Sequence, residues 1–95
     1  MKLYGTKICP DCVSAFEVLS HKGVVYEFID IMETTANLKE FLKLRDNRVE
    51  FVDVIKNGLI GIPCYCFSDD VIFFDTDEAI KKSAVIQHSS KLPPY

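Results

Sequence analysis

Cys9 and Cys12 carry the chemistry this sequence is best equipped for. They stand with two residues between them in Thr6-Lys7-Ile8-Cys9-Pro10-Asp11-Cys12, after a short apolar strand pattern, Leu3-Tyr4-Gly5, and at the opening of a helical one. A Cys-x-x-Cys in that setting reads as a thiol–disulfide redox pair. A cysteine at the mouth of a helix meets unpaired backbone N–H groups and the positive end of the macrodipole, and both favour an anion. Cysteines so placed titrate at roughly 3.5–7.5 instead of about 8.5. Cys12, about one helical turn further on, is placed to attack a mixed disulfide on Cys9 and release the reduced substrate. Pro10 suits the first helical position, where its missing N–H costs nothing. Asp11 works the other way, because a carboxylate beside the thiols disfavours the thiolate.

Cys64 and Cys66 form a second cysteine group. They alternate along a strand pattern, so both point to the same face. Cys64 directly follows Pro63 and is a candidate for reaching the Cys9–Cys12 pair. One reading is a second redox pair, although strand neighbours of this kind bridge each other poorly. Another is a thiolate metal site shared with Cys9 and Cys12, holding zinc or an iron–sulfur cluster. The preferred reading is two small buried hydrophobes, the usual state of free cysteine. His21 is a candidate base, but its place in the last turn of a helix favours a capping or solvated role.

The elements that position these residues follow from periodicity. Lys2 to Gly5 is a strand that ends at the cysteine loop. A helical pattern opens near Pro10 and Cys12 to Lys22 is a helix, with Ala15, Phe16 and Leu19 on its inner face, Val13 beside them and Gly23 as its stop. Val24 to Ile29 is rich in β-branched and aromatic residues and reads as a second strand, parallel to the first with a right-handed crossover. Thr34 or Thr35 caps a helix over Ala36 to about Asp46, with Leu38, Phe41 and Leu42 inward and Arg45 at the edge of the stripe. Arg48 to Lys56 reads as a further helix with Phe51, Val52 and Ile55 on one face, in preference to a strand. Cys64-Tyr65-Cys66-Phe67 and Val71-Ile72-Phe73-Phe74 make a hairpin around Ser68-Asp69-Asp70. Pro63, just before it, is an edge residue or a cis turn. Asp75 or Thr76 caps a last helix whose inner face is Ala79, Ile80, Ser83, Ala84 and Ile86, with Lys81 and Lys82 solvated. Ser89 to Tyr95 reads as a surface tail.

The 95 residues suit a single domain, 1–95, with 48% apolar and 26% charged residues, ordinary for a globular chain. A net charge of −3 offers no basic face for phosphates, which argues against nucleic acid as a partner. No apolar run reaches the roughly 18 residues that suggest a membrane span. Met1-Lys2 leads straight into a strand pattern without a signal-peptide core, so the expected compartment is the reducing cytoplasm. A structural disulfide framework is disfavoured there.

The order strand, helix, strand, helix, helix, strand, strand, helix, together with Cys9-Pro10-Asp11-Cys12 and Gly61-Ile62-Pro63, resembles the glutaredoxin branch of the thioredoxin fold from Met1 to about Gln87. The resemblance implies an α/β domain of the minimal glutaredoxin type, a four-stranded mixed sheet flanked by helices. It implies thiol–disulfide oxidoreductase activity on protein or glutathione mixed disulfides, with Cys9 and Cys12 as the reacting thiols. It also implies a cis Pro63 against the active cysteines and an Ile62 backbone that pairs with the cysteinyl part of glutathione or of a substrate peptide. Lys7 matches a family lysine that stabilises the thiolate and attracts a glutathione carboxylate. Where the family usually has Gly-Gly-x-Asp, this chain has Phe74-Asp75-Thr76-Asp77-Glu78. Thr76 and Asp77 are then the candidates for the glutathione ammonium group, and the same residues also read as an ordinary helix cap. Best-known members have Cys-Pro-Tyr-Cys and Thr-Val-Pro, so Asp11 and Gly61-Ile62 are departures. Glutathione is the implied reductant, with a thioredoxin-reductase-type flavoprotein as the alternative; disulfide-bearing proteins are the implied partners. A monomer with no resident metal is expected. The expected potential lies between the glutaredoxin range of about −200 to −230 mV and the thioredoxin value of about −270 mV.

Overall fold

In the computed structural model, which describes residues 1–91, strand β1 (Lys2–Gly5) occupies an inner position of a four-stranded sheet ordered β2-β1-β3-β4. Strand β2 (Glu27–Asp30) lies parallel to it, and β3 (Cys64–Cys66) lies antiparallel on its other side. Strand β4 (Ile72–Phe73) closes the hairpin with β3. Helices α1 (Pro10–His21), α2 (Thr35–Asn47), α3 (Val52–Lys56) and α4 (Thr76–Lys91) complete the described chain, with a 3-10 turn at Val49–Phe51 before α3. This is the mixed sheet with flanking helices expected of a thioredoxin-like fold of glutaredoxin type.

Strand alternation sorts the core into two layers. Leu3 and Tyr65 pack with Leu19, Phe67 and Ala79 on the side of α1 and α4. Tyr4 and Cys64 pack with Ile29, Phe41, Phe51 and Ile72 on the side of α2 and α3. Phe41, Phe51 and Phe74 run edge to face through the second layer, with centroids 5.8 and 4.9 Å apart.

The second strand is shorter than its composition suggests. Helix α1 ends with Gly23 at φ +65°, the Gly23 N–H on Ser20 and the Val24 N–H on Leu19. That closure takes the Val24 donor, as in a Schellman motif. Val25 is left exposed, and pairing with β1 begins only at Glu27, opposite Lys2. The expected helix over Arg48 to Lys56 begins one residue later, as the 3-10 turn at Val49–Phe51 that runs directly into α3. Arg48 is extended, and its guanidinium binds Glu50 and the Asp70 carbonyl. Only Phe51 is buried in that stretch; Val52 and Ile55, expected on its inner face, are exposed.

Thr34 caps α2 by accepting the Asn37 N–H, and Asp75 caps α4 by accepting the Glu78 N–H. Ala79 and Ser83 face inward on α4, whereas Ala84 is exposed; the Ile86 side chain lies outside the described residues. Lys82 is not simply solvated: it pairs with Asp69 at 2.9 Å and lies over the Phe67 ring. The helix runs to Lys91, into the stretch expected to be a tail, and 92–95 lie outside the described residues.

Candidate active site

Local sequence puts Cys9 where its chemistry needs it. The Cys9 N–H bonds back to the Thr6 carbonyl at 3.2 Å, closing the turn after β1. Cys9 is then the N-cap of α1 with extended backbone, and Pro10 takes the first helical position. The Cys9 carbonyl accepts the Val13 N–H at 3.0 Å, the first bond of the helix. Cys9 is half-buried with a face on solvent, and Ile8 beside it is exposed.

Cys12 sits behind it with no exposed surface. Gly5 makes the room: a Cβ there would lie 2.9 Å from the Cys12 sulfur. Burial pushes the Cys12 thiol up to about 11; the Thr6 backbone N–H opposes this, while the Cys9 thiol and Asp11 add to it. The two cysteines are thus unequal, one facing out at a helix N-terminus and the other enclosed and held protonated.

Cys9 opens onto a groove of about 610 Å³. Its walls come from the 54–63 region, with Val54, Leu59, Ile60, Gly61, Ile62 and Pro63, and from Phe74, Asp75 and Thr76 at the start of α4; Asp11 lines it as well. The Ile62–Pro63 peptide is cis. Gly61 has φ +98°, and a Cβ there would lie 2.8 Å from the Phe51 ring, so both the backbone and the packing call for glycine. Arg45 reaches from α2 to the carbonyls of Ile60 and Leu59, at 2.9 and 2.6 Å, and holds this loop. Thr76 is tied to β3 by a 2.6 Å hydrogen bond between its hydroxyl and that of Tyr65.

Of the expected site residues, Cys9, Asp11, Ile62, Pro63 and Thr76 meet around one groove, with Cys12 directly behind Cys9. Lys7 and Asp77 are exposed and stand outside the groove lining. Asp75, a helix cap within the Asp75–Glu78 cluster, also lines the groove, and Leu59, Ile60 and Arg45 are the site residues that the sequence does not single out for it. The available signal was an apolar pair, Leu59-Ile60, lying outside any periodic element and immediately before Gly61-Ile62-Pro63.

The four-thiolate metal arrangement does not form. Cys64 pairs with Tyr4 in register and packs with it on the α2 side, while Cys12 lies against Gly5 on the α1 side. The sheet stands between the two cysteine groups. Among the described residues, no set of three or more His, Cys, Asp or Glu side chains is placed to hold a metal ion. Cys64 is fully buried and its thiol is pushed up to about 12, chiefly by that burial. Cys66 is half-buried, and burial together with Asp70 raises its thiol as well. Neither is poised to react as a thiolate.

A family model described as glutaredoxin matches residues 1–51, the part of the chain holding Cys9 and Cys12. The chain belongs to the glutaredoxin family. A glutaredoxin-like redox role follows at that coarse level. The chain is also 34% identical over 73 residues to a Haemophilus influenzae protein described as uncharacterized, covering 77% of this chain and 85% of that protein. No solved structure gives a significant match. Among the described residues, no helix is long and apolar enough to cross a membrane.

Proposed function

We propose that this glutaredoxin-family chain is a thiol–disulfide oxidoreductase that reduces protein or glutathione mixed disulfides through Cys9 and Cys12. The observation that supports it is the unequal pair: Cys9 faces the groove at the N-cap of α1, and Cys12 is fully enclosed behind it. The Cys9 thiolate attacks one sulfur of the substrate disulfide. The other substrate sulfur leaves as a thiolate and takes a proton from solvent. Cys12, giving up its proton, then attacks the Cys9 sulfur, forming the Cys9–Cys12 disulfide and releasing the second substrate thiol. Two electrons and two protons have passed from the protein dithiol to the substrate. Two molecules of glutathione, or a thioredoxin-reductase-type flavoprotein, restore the dithiol. Lys7, exposed in the loop before Cys9, supplies positive charge near the attacking thiolate. The Ile62 backbone beside Pro63 pairs with the substrate strand, and Thr76 lines the same groove at the start of α4. The working form is a monomer in the cytoplasm.

The test is turnover of a small glutathione mixed disulfide by the purified protein, with glutathione and its reductase compared against a thioredoxin reductase. Cys9→Ser should abolish turnover with either reductant. Cys12→Ser should retain reduction of the glutathione mixed disulfide and lose reduction of protein disulfides. Full activity of Cys9→Ser would overturn the mechanism.

A further inference from the structure

We propose that the groove beside Cys9 takes an extended protein segment whose half-cystine is flanked by apolar residues and a lysine or arginine, in preference to a glutathione-capped cysteine. Given the thiol–disulfide chemistry proposed above, on which this assignment rests, the groove's chemistry names the class of substrate.

Its wall is apolar and open. Leu59 and Ile60 are 57% and 58% exposed, and the half-buried Ile62 and Phe74 line the same groove as Cys9. Exposed apolar side chains gathered beside a reactive thiol match the side chains of a polypeptide. Glutathione offers none beyond its cysteine.

The charge on the groove points the same way. Among the described residues that line it, the charged ones are Asp11 and Asp75. Both oppose the two carboxylates of glutathione, and both attract a cationic side chain next to the half-cystine. Lys7, in the loop before Cys9, stands outside the lining, and the Arg45 guanidinium donates to the Leu59 and Ile60 carbonyls. It holds the wall instead of offering itself to an anionic ligand. The electron transfer is unchanged: the substrate disulfide gains two electrons and two protons as two thiols, and Cys9 and Cys12 become a disulfide.

The test is a single-turnover reaction of pre-reduced, desalted protein with excess peptide disulfides, so that no outside reductant is needed. The peptides share leucines around the half-cystine and carry lysine, glutamine or glutamate next to it; a fourth is the glutamine peptide capped with glutathione. The lysine peptide should react roughly fivefold to tenfold faster than the glutamate peptide at low ionic strength, and the gap should shrink in high salt. In Asp11→Asn/Asp75→Asn the lysine-to-glutamate ratio should fall to about one. Asparagine caps a helix about as well as aspartate, which preserves α4. A ratio between peptides also cancels any change in the thiols that removing Asp11 brings. Equal rates for the three uncapped peptides, or a glutathione-capped peptide faster than the lysine one, overturn the substrate class and leave the oxidoreductase standing. No thiol release from any peptide overturns both.

Discussion

The inequality of the two thiols can be read directly by alkylating the reduced protein with iodoacetamide across pH and locating the label by peptide mass. Cys12 has no exposed surface, and burial is the main reason its thiol is pushed up to about 11. With that value, its thiolate fraction at pH 7 is about 1 in 10,000, against roughly 3% for a free cysteine titrating near 8.5. Only the thiolate reacts, so the deficit is about 300-fold. A more basic thiolate is also a better nucleophile, with a slope of roughly 0.4–0.5 per unit, which returns about tenfold. Cys12 should therefore label about 20- to 30-fold more slowly than an unperturbed cysteine, before its enclosure is counted. Cys9, which faces the groove, should take the label first in the native protein.

The pH dependence is the sharper part of this test. In Cys9→Ser the largest cause of the Cys12 shift, burial, is still present. Labelling of Cys12 should then climb about tenfold per pH unit without levelling below about pH 9. Cys12 labelled ahead of Cys9 in the native protein, or a plateau in its rate below about pH 9, would refute the division of roles.

Further outcomes follow from the same contacts. Burial pushes the Cys12 and Cys64 thiols up to about 11 and about 12 in the folded chain, above the roughly 8.5 of an unfolded thiol. The folded state holds both protons more tightly, so their contribution is complete below about pH 8.5 and is lost as pH rises through those values. The urea midpoint should fall above about pH 9, less steeply in Cys64→Ala; a midpoint that rises there contradicts the burial argument. Gly61→Ala puts a Cβ 2.8 Å from Phe51 at φ +98°, whereas Gly58→Ala at φ +69° meets nothing within 4 Å. Gly61→Ala should therefore cost about 1–3 kcal/mol more than Gly58→Ala in urea unfolding, and equal costs would show that Phe51 yields freely. Arg45→Gln removes the bonds to the Leu59 and Ile60 carbonyls. Its KM for a peptide disulfide should rise roughly fivefold, about 1 kcal/mol, with kcat little changed. An unchanged KM would mean the groove wall holds its shape without Arg45.

What the sequence revealed, and what it withheld, divides along the range of the interactions. The Cys9 N-cap, Pro10 at the helix start, Gly23 at its stop and the Asp75 cap are decided within a few residues of chain, and each was legible. Arg45 was not, because its partners are carbonyls 14 and 15 residues further on, and no local pattern distinguishes that arginine from a solvated one. The cysteines on β3 show the boundary most clearly. Parity alone put Cys64 and Cys66 on one face. Which face that is depends on the register, Tyr4 opposite Cys64 and Leu3 opposite Tyr65. A slip of one residue would turn Tyr65 away from α1 and carry both thiols to the side of Cys12. The observed register is the one that satisfies burial on both layers: Tyr65 fills the α1 side and reaches Thr76 with its hydroxyl, while the smaller Cys64 leaves room for Tyr4, Phe41 and Phe51 on the other. The largest buried side chain thus governs the register, and the register keeps the second pair of thiols away from the first.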